Sequence, residues 1–466
     1  VREYELLIDK ALDVGLSPFR RDKFNEQVLS RCYGLRVSQQ GIGPYVELSN
    51  PIALLVYYDW PYPQVVVGEG YTLLIDRNVT AGNEDKVYVV TLIGGMLAYS
   101  VAATLSHAIY GQGHLMEVAD FSDYALMTNG NVMVYYDPTL GGGWTITTGT
   151  ANIPLLDTVC NFKGQIVAGG AQSAWHDCDS TFYLWSKIGS ADFTPERDGE
   201  AGYRRCPYGG DIYHVRRLGD SVVGYSSEGV TLLTPVNDPM PTFRFTELVP
   251  HGLVNRGAVD GDLNQQMFLC KDNTLRMITK EGVKELGYRQ FMSQLRDSSD
   301  ILVRYDKRTK NFYIGTEDKT YLYSGYGLTE IPQHPSAVWY LSDFSNSSYM
   351  LPATVDDYTP EIVTNWFDMG YRGQKTIATI ESDARPLTNG EVAVTYDNSL
   401  GPEETSNYMP VNNQGVGTLT ASGCQFKFHL RFDADSNFQI SYIKSRYKMT
   451  DLRSIRGIYA PPPRGQ

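Results

Sequence analysis

Four side chains of metal-binding type stand in a row at His176, Asp177, Cys178 and Asp179. A zinc-like ion accepts N, S and O donors of this kind. Consecutive residues of an extended chain point to opposite faces, however, so one ion cannot collect all four. The run therefore reads as a polar turn between a strand near Val167 and one near Tyr183, with a loop-held ion as the alternative. Asp433, Asp435 and Asn437 spell the D-x-D-x-N opening of a calcium loop. Such a loop needs Gly at its sixth position and Glu at its twelfth, where this chain has Phe438 and Lys444. A hairpin turn between Phe432 and Phe438 is the better expectation, with a weaker ion-binding loop as the alternative.

The seven histidines, His107, His114, His176, His214, His251, His334 and His429, are scattered, and the chain has neither H-E-x-x-H nor G-x-S-x-G. Zinc-protease and serine-hydrolase chemistry lack their usual arrangement. Asp260 and Asp262 flank Gly261 in what reads as a turn, and a glycosidase pair is defined by carboxyl separation in space, which spacing along the chain does not give. Gly141, Gly142 and Gly143 follow Pro138 and precede Trp144. With strands expected on both sides and no helix to receive a phosphate, they read as a loop. Trp185 and Trp366 read as core or interface anchors, with sugar stacking as the functional alternative. No catalytic, cofactor-binding or metal residue is assigned, no cofactor is expected, and the chain reads as a non-enzyme.

The elements that must carry these residues are strands. The chain has 466 residues, too many for one core, which stops growing near 250 to 300 residues. Its 33 Tyr suit half-buried strands, and its 44 Gly and 23 Pro suit tight turns. Six cysteines, Cys32, Cys160, Cys178, Cys206, Cys270 and Cys424, lie far apart with no C-x-x-C pair, so reduced and mostly buried thiols are expected. The residues after Val1 (Arg2, Glu3, Glu5, Asp9) do not read as a secretory leader, with a trimmed start as the alternative, and on the first reading the sequons at Asn78 and Asn346 are expected to be chance matches. Val87 to Leu105 carries no charge over 19 positions. Its central Gly94-Gly95 and β-branched first half point to strands and not a membrane span, with a soluble helix over 96–110 as the alternative.

Helical spacing of Phe19, Phe24, Val28 and Cys32 after Pro18 predicts one helix over 18–33. Thereafter the period is two. Strand-turn-strand units run from Tyr124 to Tyr136, Leu218 to Leu233, Gln266 to Ile278 and Asn311 to Tyr323. The last three are spaced by about 45 to 50 residues, the length of a four-stranded propeller blade. A sandwich array would show similar spacing.

The expected fold class is all-β: an N-terminal segment over 1–45 with a short helix, a β-propeller-like body over 46–350, and a β-sandwich-like C-terminal domain over 351–466. Strands in the last are expected at Glu361 to Asp383, Glu391 to Tyr396, Gln425 to Phe432 and Phe438 to Tyr447. The chain ends in the extended Pro-rich stretch Ile458 to Gln466.

Charge is uneven. The net charge is −13, yet residues 444–466 carry Lys444, Arg446, Lys448, Arg453, Arg456 and Arg464 against Asp451 alone, +5 locally, which leaves −18 for the remainder. An acidic body does not hold nucleic acid tightly, since that requires Lys and Arg on the phosphates. The basic end is either a solvated tail or a docking strand for an acidic neighbour.

The run from Gln165 to Leu233 (QIVAGG, LWSKIGSADFTPE, AGY, DIYHVRRLGDSVVGYSSEGVTLL) resembles the propeller segment of tail hub, or nozzle, proteins of short-tailed (podovirus-type) bacteriophages. The run 366–384 (WFDMGYRGQKTIATIESDA) resembles the opening strand pair of their C-terminal domain. The resemblance implies a virion structural protein made in the host cytoplasm. It would be one of six copies in a homo-oligomeric ring at the distal end of the tail, below the portal. Its partners would be its own copies, the tail adaptor above, tail fibres or spikes, and the viral double-stranded DNA that passes during ejection without sequence-specific binding. A carbohydrate-binding or carbohydrate-active propeller is the alternative function.

Overall fold

In the computed structural model the described residues are 3–19, 26–49, 63–68, 71–78, 84–93, 96–106, 115–121, 125–130, 133–137, 143–147, 152–171, 175–196, 199–236, 242–295, 300–341, 347–352, 355, 357–384, 390–397, 402–433 and 438–450. The chain is all-β, with a propeller body and a sandwich-like second unit. The units are built from 48–318 with 334–354, and from 1–47, 319–333 and 355–466.

The propeller unit repeats one antiparallel up-and-down sheet. Blade 1 runs Gln64–Gly68, Tyr71–Asn78, Glu84–Ile93, Met96–Ser106, and blade 2 runs Glu117–Asp120, Ala125–Thr128, Met133–Asp137, Gly143–Thr147. Blade 3 runs Leu156–Phe162, Gln165–Ala171, Phe182–Trp185, Gly202–Arg205, and blade 4 runs Ile212–Leu218, Ser221–Ser226, Val230–Val236, Thr242–Val249. Blade 5 is Val259–Gly261, Gln265–Leu269, Leu275–Thr279 and Gly282–Gly287. Within this unit the sixth place is held by the hairpin Leu302–Asp306 and Asn311–Gly315, and the seventh by Ala337–Leu341 and Ser347–Leu351.

Short turns set the register. In blade 3, Phe162 pairs with Gln165 across Lys163 and Gly164, both at positive φ, as a two-residue hairpin matched to strand twist requires.

Neighbouring blades bury their facing side chains in common. Blades 3 and 4 share Val167, Tyr183, Trp185, Val215, Val222 and Phe243, and blades 4 and 5 share Val223, Tyr225, Phe268 and Ile278. Each such side chain contributes about 1.5–3 kcal/mol by leaving water. The circle closes where Trp339, Tyr349 and Leu351 of blade 7 pack on Leu74 and Val90 of blade 1. Ser49, from the chain leading into blade 1, bridges Tyr349 of blade 7, and its carbonyl accepts from Met350 N at 3.2 Å. The chain thus ties its last blade to the segment before its first.

In the second unit one sheet has the order Glu3–Ile8, Ile443–Met449, Lys375–Ser382, Val416–Gly423. The other runs Thr320–Tyr323, Leu328–Ile331, Leu29–Tyr33, Glu361–Thr364, Gln425–Arg431, Glu391–Asp397, Glu404–Thr405, with Met409–Pro410 beside Glu391–Asp397. Alternation in Gln425–Arg431 buries Phe426, Phe428 and Leu430 on one face. The sheets meet where a Cβ on Gly417 would lie 2.1 Å from Val392 Cγ2.

Several expectations change. The helix over 18–33 is not found: residues 20–25 lie outside the described residues and Leu29–Tyr33 is a strand, antiparallel to Glu361–Thr364. The helix Lys10–Val14 precedes that span. The alternative helix over 96–110 gives way to the strand Met96–Ser106, paired with Glu84–Ile93, so the charge-free run Val87 to Leu105 is a strand pair. Residues 1–45 are not a segment apart, because Glu3–Ile8 and Leu29–Tyr33 are strands of the second unit's two sheets. Residues 319–333 join that unit rather than the body, and Val416–Gly423 is a strand that the sequence reading passed over. Among the described residues no helix is long and apolar enough to cross a membrane. All six cysteines are free; five are buried and Cys424 is half-buried.

Candidate functional site

Alternation along an inner strand sends every second side chain toward the propeller axis. Because the seven inner strands each belong to a different blade, residues far apart in sequence meet there. They enclose a cavity of about 420 Å³, within the range of small-molecule sites.

Its polar wall is an ordered set of pairs. Glu117, on the inner strand of blade 2, places Oε1 2.7 Å from Nδ1 of His214, on the inner strand of blade 4. The other ring nitrogen of His214 meets the carbonyl of Arg256. Arg256 Nη2 donates to Asp157 Oδ2 at 3.0 Å, and Asp157 is buried. One step along blade 4, Arg216 Nη1 donates to Asp260 Oδ1 at 2.9 Å, and Asp260 Oδ2 accepts from Tyr305 N at 2.9 Å. The Tyr305 hydroxyl donates to Asp262 Oδ2 at 3.1 Å, while Asp262 Oδ1 accepts from the backbone of Asn264 and Gln265.

These pairs fix the charges. Burial alone would push the Glu117 carboxyl up; His214 beside it, with Arg216 and Arg256, outweighs burial and holds it below the usual range. Burial likewise works against the Arg216 guanidinium, and Asp260 and Glu117 more than offset it. Burial is the main reason that the Tyr305 hydroxyl is pushed up to about 12, and Asp262 adds to it.

Of the residues weighed in the sequence, Asp260 and Asp262 both line this cavity, on the inner strand of blade 5 and the residue that follows it. Of the seven histidines, His214 lines it. Glu117, Arg216 and Tyr305 were not singled out. Alternation marks them as facing one side of a strand, but nothing in the sequence says that the strands share an axis.

The row at 176–179 does not converge. Trp175–Asp177 is a short 3-10 turn with His176 and Asp177 at positive φ, Cys178 is buried, and Asp179 Oδ1 accepts from Thr181 N at 2.8 Å. No group of three or more His, Cys, Asp or Glu forms a metal-binding set among the described residues. Asp435, Asn437, Gly141, Gly142, Asn346, His107 and His114 lie outside the described residues. Trp185 is a core anchor, edge-on to Phe243 at 5.4 Å between ring centres. Trp366 is half-buried, with Lys427 Nζ 4.6 Å from its ring centre.

No protein-family model and no curated protein matches the sequence. Among solved structures, PorZ, a surface component of the type-IX secretion system of Porphyromonas gingivalis, is similar at 12% identity over 64% of this chain and 35% of its own, with a TM-score of 0.37. Streptogramin B lyase is similar at 12% identity over 65% of this chain and 92% of its own, with a TM-score of 0.36. The β-propeller domain of Cps50 (Swd1) from Myceliophteria thermophila is similar at 8% identity over 64% of this chain and 91% of its own, with a TM-score of 0.35. At these identities and scores the likeness carries no argument about function.

Proposed function

We propose that the chain is a structural subunit of a bacteriophage tail nozzle or hub ring, in which several copies enclose the channel that retains and then releases the genome. The observation that carries this reading is the distribution of the resembling segments. Gln165–Leu233 spans blades 3 and 4 of the propeller, and 366–384 enters the sandwich-like unit through Lys375–Ser382. Each falls in a unit of the kind that the resemblance implies.

The propeller's own axis cannot serve as the conduit. A cavity of about 420 Å³ crossed by paired side chains has no room for a duplex whose major groove alone is about 12 Å wide. Any DNA channel is therefore bounded by several copies. A net charge of −13 suits a wall past which phosphates slide without being held.

Part of the basic C-terminal stretch is matched within its own unit. Lys444 and Arg446 meet Glu5 at 3.1 and 3.3 Å, and Lys448 meets Glu3 at 3.0 Å. The rest of that stretch, 451–466, lies outside the described residues.

A second reading, a carbohydrate-binding or carbohydrate-active propeller, draws on the polar axial cavity with its Glu117 and Asp260. Solution mass by light scattering, with negative-stain images of the main peak, separates the two. A closed ring, alone or only with the tail adaptor, supports the nozzle. A stable monomer that binds or cleaves glycans and forms no ring overturns it.

A further inference from the structure

Blade 3 carries a strained turn beside an exposed ring. In Trp175–Asp177, His176 and Asp177 follow one another at φ 47° and 60°, in the left-handed region that non-glycine residues seldom enter. Trp175 and Phe182 are half-buried and pack on the core shared by blades 2 and 3, which holds the base of the turn. Tyr203, on the outer strand of the same blade, pairs with Leu184, and Arg205 pairs with Phe182. Directly opposed residues share a face, so Tyr203 and Arg205 rise on the side of Trp175 and Phe182.

Three rings meet there. Trp175 stands edge-on to His176 at 4.4 Å between ring centres and to Tyr203 at 6.4 Å, while His176 and Tyr203 are 6.4 Å apart with 20° between their planes. Phe182 braces Tyr203 edge-on at 6.1 Å. His176 and Asp177 are exposed, and Tyr203 is 39% exposed. Among the described residues, the His176 ring nitrogens, the Asp177 carboxylate and the Tyr203 hydroxyl make no hydrogen bond to protein. Arg205, also exposed, donates from Nε to Thr181 Oγ1 at 3.3 Å, which fixes its guanidinium beside the strand pair. Packing on the core explains Trp175 and Phe182. It does not explain an exposed ring pair with unbonded polar ends on a strained backbone, a combination that marks ligand sites.

We propose that this corner of blade 3 binds a neutral glycan: a sugar ring stacks on Tyr203 and His176, and its hydroxyls donate to the Asp177 carboxylate and accept from Arg205. A pyranose has an apolar C–H face for the rings, and each hydroxyl both donates and accepts, so an acid and a guanidinium at one edge suit it. An organic cation would meet Arg205 as a like charge. The corner shares no residue with the lining of the axial cavity, and it rests neither on ring formation nor on a ligand in that cavity.

The test is calorimetric titration of the full chain with neutral hexasaccharides of glucose, galactose, mannose and N-acetylglucosamine, with choline chloride as the cation probe. Saturable binding of at least one glycan at one site per chain, and none of choline, is the expected result. Tyr203→Leu removes the exposed ring and should weaken binding by about tenfold or more. His176→Gly removes the second ring but suits the left-handed backbone, so affinity should fall by about threefold or more while the thermal midpoint holds or rises. A turn with a structural role alone would change stability and leave affinity as it was. If Tyr203→Leu does not fold, His176→Gly carries the test. Silence with all four glycans, binding of choline in their place, or glycan affinity unchanged in the folded variants would each overturn the proposal.

Discussion

Glu361 keeps its charge in a buried position because four groups converge on it. Tyr408 Oη donates to Oε1 at 2.8 Å and Arg431 Nε at 3.1 Å, His429 Nδ1 lies 3.8 Å away, and Arg31 Nη1 meets Oε2 at 3.2 Å. Burial would raise its pKa, but His429, Tyr408, Arg31 and Arg431 prevail and hold it down at about 2. A carboxylate whose folded pKa is depressed adds stability that is complete above its unfolded value, near 4.3, and is lost as pH falls toward about 2. Glu361→Gln should cost about 3 kcal/mol at pH 7. Its gap to the parent should narrow between pH 4 and pH 2, as thermal unfolding at several pH values would show.

Lys375 is the opposite case. It is fully buried, and its ammonium donates to the carbonyls of Gly373 and Cys424, both at 2.8 Å, and of Tyr371. Burial pulls its pKa down to about 8. The unfolded chain therefore holds more protons between about pH 8 and pH 10.4, and this residue's contribution to stability rises with pH across that window. Lys375→Met strands three carbonyls and should destabilise by about 1–3 kcal/mol. Its deficit should grow from pH 8 to pH 10; a flat difference would contradict the shifted lysine. Neither residue was visible as special in the sequence, because each owes its state to partners brought from other strands.

At the scale of elements, blades seat against one another through pairs of large and absent side chains. Tyr183 of blade 3 is fully buried, and its ring lies over Gly224 of blade 4, where a Cβ would stand 2.2 Å from the hydroxyl and 2.4 Å from Cε1. Gly224→Ala should therefore overpack this interface and cost about 1–3 kcal/mol, read from the midpoint of denaturant unfolding. Period-two patterning made most strands legible. The hairpins expected at Tyr124 to Tyr136, Leu218 to Leu233 and Gln266 to Ile278 are antiparallel pairs of blades 2, 4 and 5. The pattern failed where helix spacing and strand pairing competed. Cys32 belongs to the helical stripe expected within 18–33, yet it is buried in a strand held by Glu361–Thr364. A helix there would leave that neighbour's backbone groups unpaired.

At the scale of the molecule, the proposed conduit role requires that the acidic chain not retain DNA. Fluorescence anisotropy with a labelled duplex at physiological salt should show no binding at micromolar protein, and tight salt-sensitive binding would contradict the conduit reading. Sequence alone determined the all-β class, because alternation and turn residues are local properties. It also determined the approximate place of the second unit, because strand phrases resume after the polar run near 350. Only the tertiary structure decided the circle of seven inner strands, the return of residues 1–47 and 319–333 to the sandwich-like unit, and the axial cavity. Closure joins Ser49 to Tyr349, and the cavity joins Glu117 to His214 and Arg216 to Asp260. Such pairings depend on where distant strands end in space, and no window of sequence contains both partners.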